Sequence, residues 1–282
     1  MTQNQDLQTE YLQKLEHAPL SKNTKRAYAS RVAAFLEWLP EGADLASERD
    51  FVVRDYRQYL KAEHKSTSTV NSALDAVGNF FLSLKLGSPN ARRERLPQAA
   101  PRALEPKEQK LFLRAAEKTE LSRDRAIGLL AFYSGLRVAE LAALNIEDVV
   151  LSARRGQVIV WHGKGDRHRE LPLHPEARSA ISEWLEDRWV SESEALFINR
   201  RGGRLSARSV CEIVAQLGAS VGLEISTHVL RHTFGTNLVR QGTDVVLVAE
   251  LMGHSRLEST RRYSLPSAGD RVRAIAGLPV EG

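Results

Sequence analysis

Residues 157–173, Gln157-Val158-Ile159-Val160-Trp161-His162-Gly163-Lys164-Gly165-Asp166-Arg167-His168-Arg169-Glu170-Leu171-Pro172-Leu173, interrupt a stretch from Pro106 onward in which helical patterns otherwise predominate. Gln157 to Trp161 and His168 to Leu173 are strand-like, and Gly163-Lys164-Gly165-Asp166 between them has hairpin turn chemistry. A third short strand is expected near Val149. The predicted fold class is therefore mainly α with a small antiparallel β-sheet in the C-terminal part.

The N-terminal stretch to about residue 87 reads as helices with short connections. Ser21 or Asn23 can cap a helix through Trp38, in which Tyr28, Val32, Phe35, Leu36 and Leu39 recur at three- and four-residue spacing. Its polar face is expected to carry Lys22, Lys25, Arg26 and Arg31. Ser66 or Ser68 can cap a helix whose stripe runs through Val70, Leu74, Val77, Phe81 and Leu84, with further helices over 48–63 and 6–17. Residues 88–106 hold Pro89, Pro97, Pro101 and Pro106 and the basic Arg92, Arg93 and Arg95 without an amphipathic period, which predicts an extended linker. The organisation expected is a helical domain over 1–87, a linker over 88–106 and a second domain over 107–282. In that second domain helices resume at 175–189, 206–221, 227–241, 245–252 and 258–263.

The chain has 282 residues, and Lys+Arg exceed Asp+Glu by 40 to 35, which makes a polyanion an admissible partner. Cys211 is the one cysteine, so neither an intramolecular disulfide nor a multi-thiolate zinc site can form within the chain. Residues 1–13 are polar, and no apolar run reaches membrane-spanning length. A soluble, cytoplasmic protein is the expectation.

Three distant strings carry the chemistry: Gly135-Leu136-Arg137-Val138-Ala139-Glu140, then His228-Val229-Leu230-Arg231-His232, then Gly253-His254 followed nine residues later by Tyr263. Attack of a phenol on a phosphodiester builds negative charge on the non-bridging oxygens, and an arginine fork matches two of those oxygens while staying charged. Arg137 stands before a helix expected to start near Val138, where free N–H groups add positive potential, and Glu140 three residues on can hold that arginine or close a cap. His228 and Arg231, three apart on a helix, project from one face. His228 and His232 have half the spacing of a zinc site, but no Glu follows the first His and no third ligand is apparent, so no metal is assigned. Arg261 and Arg262 precede Tyr263 and favour its phenolate. Lys164, at the predicted hairpin tip, is either an exposed turn lysine or an acid for a departing oxygen.

As a set, Arg137, Lys164, His228, Arg231, His254 and Tyr263, in the words SGLRVAEL, GKGDRHRELPL, HVLRHTFGTNL and LMGHSRLESTRRY, resemble the tyrosine recombinases of the phage-integrase and Xer/Cre type. The resemblance covers about 107–266 strongly and the N-terminal helices more loosely, as a core-binding domain. It implies a two-domain clamp on double-stranded DNA. It also implies a site-specific recombinase in which Tyr263 attacks the scissile phosphate to give a 3′-phosphotyrosyl link and a free 5′-hydroxyl. Arg137, Arg231 and His254 would hold the phosphoryl oxygens, Lys164 would protonate the leaving oxygen, His228 would assist proton transfer and Glu140 would support Arg137. Neither ATP nor a metal cofactor is implied. A homo-tetramer on two DNA sites, exchanging strands through a Holliday junction, is the implied assembly, with a second recombinase or an accessory factor as a further partner left open.

Lys25, Arg26, Arg31, Asn71 and Arg208 are the candidates for DNA contacts outside the catalytic set. Because some family members carry an arm-binding domain ahead of the core-binding helices and no room for one is expected here, a simple-site recombinase is the expectation. Two other readings remain: a type IB topoisomerase-like enzyme that relaxes DNA, and a non-cutting DNA-binding protein of the same fold.

Overall fold

The computed structural model describes residues 3–90, 92–94, 102–152, 154–161 and 168–253. The chain divides into two compact units, residues 1–98 and 99–282.

The first unit is built from α1 (Gln3–His17), α2 (Lys22–Trp38), α3 (Arg49–Ala62) and α4 (Thr67–Ser83). Ser21 and Ser66 cap α2 and α4 by accepting from the backbone N–H of Thr24 and Thr69, as the serine-led starts of these stretches predict. Their apolar stripes meet in a core centred on Phe35, Val77, Phe80 and Phe81, with Tyr11 of α1 and Tyr56 of α3 closing its sides. Phe80 meets both Tyr11 and Phe35 edge to face, the arrangement that ring quadrupoles prefer.

The second unit runs α5 (Pro106–Lys118), α6 (Ser122–Ser134), α7 (Val138–Ala143), β1 (Val149–Leu151), β2 (Gly156–Trp161), β3 (His168–Pro172), α8 (Pro175–Asp187), α9 (Ala207–Ala219), α10 (Thr227–Arg240) and α11 (Val245–Met252). Helix α6 is buried almost all round, from Ala126 through Phe132, and serves as the axis on which α5, α8, α9 and α10 pack. The sheet has order β1-β2-β3, antiparallel throughout, with Val149 opposite Val158 and Trp161 opposite His168. Val158, Val160 and Leu171 face the core. Arg169 is paired with Val160 and so shares that inward face. The predicted helix over 258–263 and the turn at 163–166 lie outside the described residues.

Residues 92–94 are tied to the first unit. The Asn71 amide donates to the Glu94 carbonyl and its oxygen accepts from the Glu94 N–H, Arg57 donates to the Arg92 carbonyl, and Arg93 pairs with Asp75. On the other side of the predicted linker, the Leu104 N–H donates to Thr233 Oγ1 of α10, and Leu104 is buried.

Candidate functional site

Gly135 ends α6 in the left-handed region, at φ 60°, and two residues later Arg137 opens α7. Only glycine suits Gly135, because a Cβ there would meet the ring of Phe234 as well as an unfavourable φ. The sharp turn places Arg137 at a helix start, where Glu140 closes the cap: its carboxylate accepts from the Arg137 N–H at 2.8 Å and from Arg137 Nη1 at 2.8 Å. Both alternatives posed for the Arg137-Glu140 spacing therefore hold at once. At the far end of α7 the Arg204 guanidinium donates to the carbonyls of Ala142, Ala143 and Leu144, so the short helix is held at both ends.

Helix α10 starts at the Ser226 cap and carries His228 and Arg231. His228 is exposed on the first turn, with its ring 5.3 Å from that of His232. Arg231, one turn on, is only 4% exposed. It donates to the Gly135 carbonyl and, at 2.6 Å, to the Met252 carbonyl.

The chain end of α11 is where these elements converge. Its last carbonyls, orphaned by the helix terminus, accept from three arginines brought by three separate elements. Leu251 O accepts from Arg169 Nε at 3.2 Å, Met252 O from Arg231 Nη2, and Gly253 O from Arg137 Nη2 at 2.9 Å. Gly253 itself adopts the left-handed conformation at φ 63°, and a Cβ there would land on the Arg169 guanidinium.

Sequence spacing does not single out Arg169 or Arg204. Arg169 takes the Glu140 carboxylate in a fork, Nη1 to Oε1 at 3.1 Å and Nη2 to Oε2 at 2.8 Å. An arginine at an inward position of a period-2 strand was the available signal, since a charge on a core face must have a partner. Burial pushes the Glu140 carboxyl up, but the hydrogen bonds and charges of Arg169 and Arg137 outweigh it and hold the group at about 2, fully ionised near neutrality.

Of the predicted catalytic set, Arg137, Glu140 and Arg231 are thus brought together and His228 stands on the helix of Arg231. Lys164, His254 and Tyr263 lie outside the described residues. Among the DNA candidates, Arg26 is exposed and bonded to Asn23, whereas Lys25 is half-buried with its ammonium on the Glu16 carbonyl, and Arg31 is half-buried too. The polar face expected of α2 is narrower than its sequence suggests, because α1 packs against this helix and its Glu16 carbonyl takes the Lys25 ammonium. Asn71 spends both ends of its amide on Glu94, and Arg208 is exposed and paired with Glu212. No group of His, Cys, Asp and Glu able to hold a metal occurs among the described residues, and no described helix is long and apolar enough to cross a membrane.

A cluster of arginines gathered from a small sheet and helix ends, with a carboxylate kept ionised between them, has the donor chemistry that suits phosphate oxygens. Comparison with known proteins narrows the class. The sequence model of the Phage integrase family matches residues 102–268, and that of the phage integrase N-terminal SAM-like domain matches residues 9–86. Tyrosine recombinase XerA of Thermococcus kodakarensis is 34% identical over 249 residues, covering 86% of this chain and 85% of its own length. Tyrosine recombinase XerC of Roseiflexus castenholzii is 32% identical over 271 residues, covering 87% and 83%. The XerH site-specific recombinase bound to its difH substrate has the same fold, with a TM-score of 0.74 and 23% identity over 91% of this chain and 80% of that one. The chain belongs to the phage integrase family and is a tyrosine recombinase, an enzyme of site-specific DNA recombination.

Proposed function

We propose that this chain recombines two double-stranded DNA sites with Tyr263 as nucleophile and the predicted set in the roles that the family resemblance implies. The Tyr263 phenolic oxygen attacks the scissile phosphorus and the 5′-oxygen leaves with a proton from Lys164, so one phosphate ester replaces another and the bond energy is kept. Arg137 and Arg231, with His254, neutralise the phosphoryl oxygens in the transition state. His228 assists removal of the tyrosine proton, and Glu140 keeps Arg137 in place. Rejoining is the reverse attack by a 5′-hydroxyl of the partner duplex. Four copies of the chain on two duplexes, working in the cytoplasm, form the assembly we assign.

One observation carries this reading: Arg137 and Arg231, far apart in sequence, meet on the carbonyls of Met252 and Gly253, immediately before His254 in the chain. The test is covalent trapping. Wild-type and Tyr263→Phe protein are mixed without metal with nicked duplexes tiling the DNA around the gene, and resolved on denaturing gels. An adduct formed by wild type alone at one or two positions is the expected result. Binding by both proteins with no adduct from either would overturn the reading in favour of a non-cutting protein.

A further inference from the structure

We propose that Arg169 is the positioning residue of this site, fixing Arg137 through the Glu140 carboxylate and, through Leu251, the chain that leads into His254. The proposal rests on the strand-transfer reading above and deepens it. Arg137 and Arg169 share one carboxylate but differ in surroundings: the Arg137 side chain is 43% exposed and that of Arg169 is 8% exposed. The Arg137 guanidinium is open to solvent, and that of Arg169 is engaged by Glu140 and Leu251.

The geometry shows why Glu140 alone is insufficient. Bonded only to Arg137, a glutamate side chain could turn about its own torsions and carry the guanidinium with it. Arg169 bonds both oxygens, so each oxygen accepts one bond from Arg169 and one from Arg137, and the carboxylate plane is set. Arg169 is itself placed by β3, a strand in register with β2, rather than by a loop. Its Nε reaches the Leu251 carbonyl, and its guanidinium lies so close beneath Gly253 that no side chain fits there. One residue thus ties the sheet to the start of α7 and to the end of α11.

Lysine at 169 would keep the charge and lose the fork, which separates positioning from charge balance. The experiment measures single-turnover adduct formation, DNA affinity and Tm for wild type, Arg169→Lys, Glu140→Gln and the double variant, on a nicked duplex that wild type binds. Arg169→Lys is expected to fold and to bind DNA as wild type does, with adduct formation slower by about 10- to 100-fold, the scale on which misplaced groups lose rate. The double variant is expected to be faster than the product of the two single effects, because Arg169 acts on Arg137 through Glu140 and only its Leu251 contact is left to add. A wild-type rate for Arg169→Lys, or a double variant as slow as the product of the single effects, would overturn the proposal. Should wild type bind this DNA without forming an adduct, the strand-transfer reading fails by itself. The positioning of Arg137 is then decided by the rise of Tm with inorganic phosphate, which Arg169→Lys should lose and whose survival would refute it.

Discussion

Glu140 holds two arginines on one carboxylate, and the acid behaviour of the site follows from that. Its pKa in the folded chain is about 2, against an ordinary 4.5. A depressed carboxyl contributes stability that is present above pH 4.5 and is lost as the pH falls through about 2. With the side chain 12% exposed, solvent screening is limited and the contribution is on the order of 3 kcal/mol. Glu140→Gln should therefore be less stable at neutral pH, and its stability should fall less steeply than that of wild type between pH 4.5 and 2. Urea titrations at several pH values check this; parallel curves for the two proteins would contradict it. The Arg137-Glu140 pair could be read from three-residue spacing because its partners are local. Arg169 could not, because its claim on Glu140 depends on where β3 lies and not on neighbours in sequence.

At the scale of elements, helix ends do most of the placing. Helices α6 and α11 both stop at a left-handed glycine, and the carbonyl of each glycine then accepts from a site arginine. Gly135→Ala should cost about 2–4 kcal/mol, from the left-handed strain of a non-glycine residue and the displacement of Phe234. Because the Gly135 carbonyl is a partner of Arg231, adduct formation should drop with stability. Urea unfolding followed by tryptophan fluorescence suits the measurement, since Trp161, Trp184 and Trp189 lie in the second unit. Unchanged unfolding would mean that the Phe234 ring gives way at little cost. The glycines could be picked out as helix punctuation, and the strands of residues 157–161 and 168–172 from their flanking turn. That α6 is the buried axis shows in its lack of a polar face, but which helices surround it does not.

For the whole molecule, the proposed DNA affinity should rest on phosphate contacts and weaken with salt. Each phosphate neutralised adds about 0.9 to the slope of log K against log salt. Arg26, exposed and bonded among the described residues to the neutral Asn23, is expected to contribute one contact. Arg26→Ala should reduce the slope by about 1, whereas Asn71→Ala should leave it unchanged and act on stability alone. Fluorescence anisotropy from low to moderate salt would measure both, and an unaltered slope for Arg26→Ala would remove α2 from the proposed interface.

The features legible in the amino-acid sequence are local: the helical period of both units, the single β interruption, the serine caps and the order of the motif words. These depend on residues within a few positions of one another, where backbone geometry leaves few choices. Which side chains share a partner is set by the folding of distant elements onto one another. Arg137, Arg169 and Arg231 come from three elements, and the feature that gathers them is a row of main-chain carbonyls at the end of α11. Every residue carries a carbonyl, so nothing in the sequence marks those three; they become acceptors because the helix ends there and the fold brings the arginines to it.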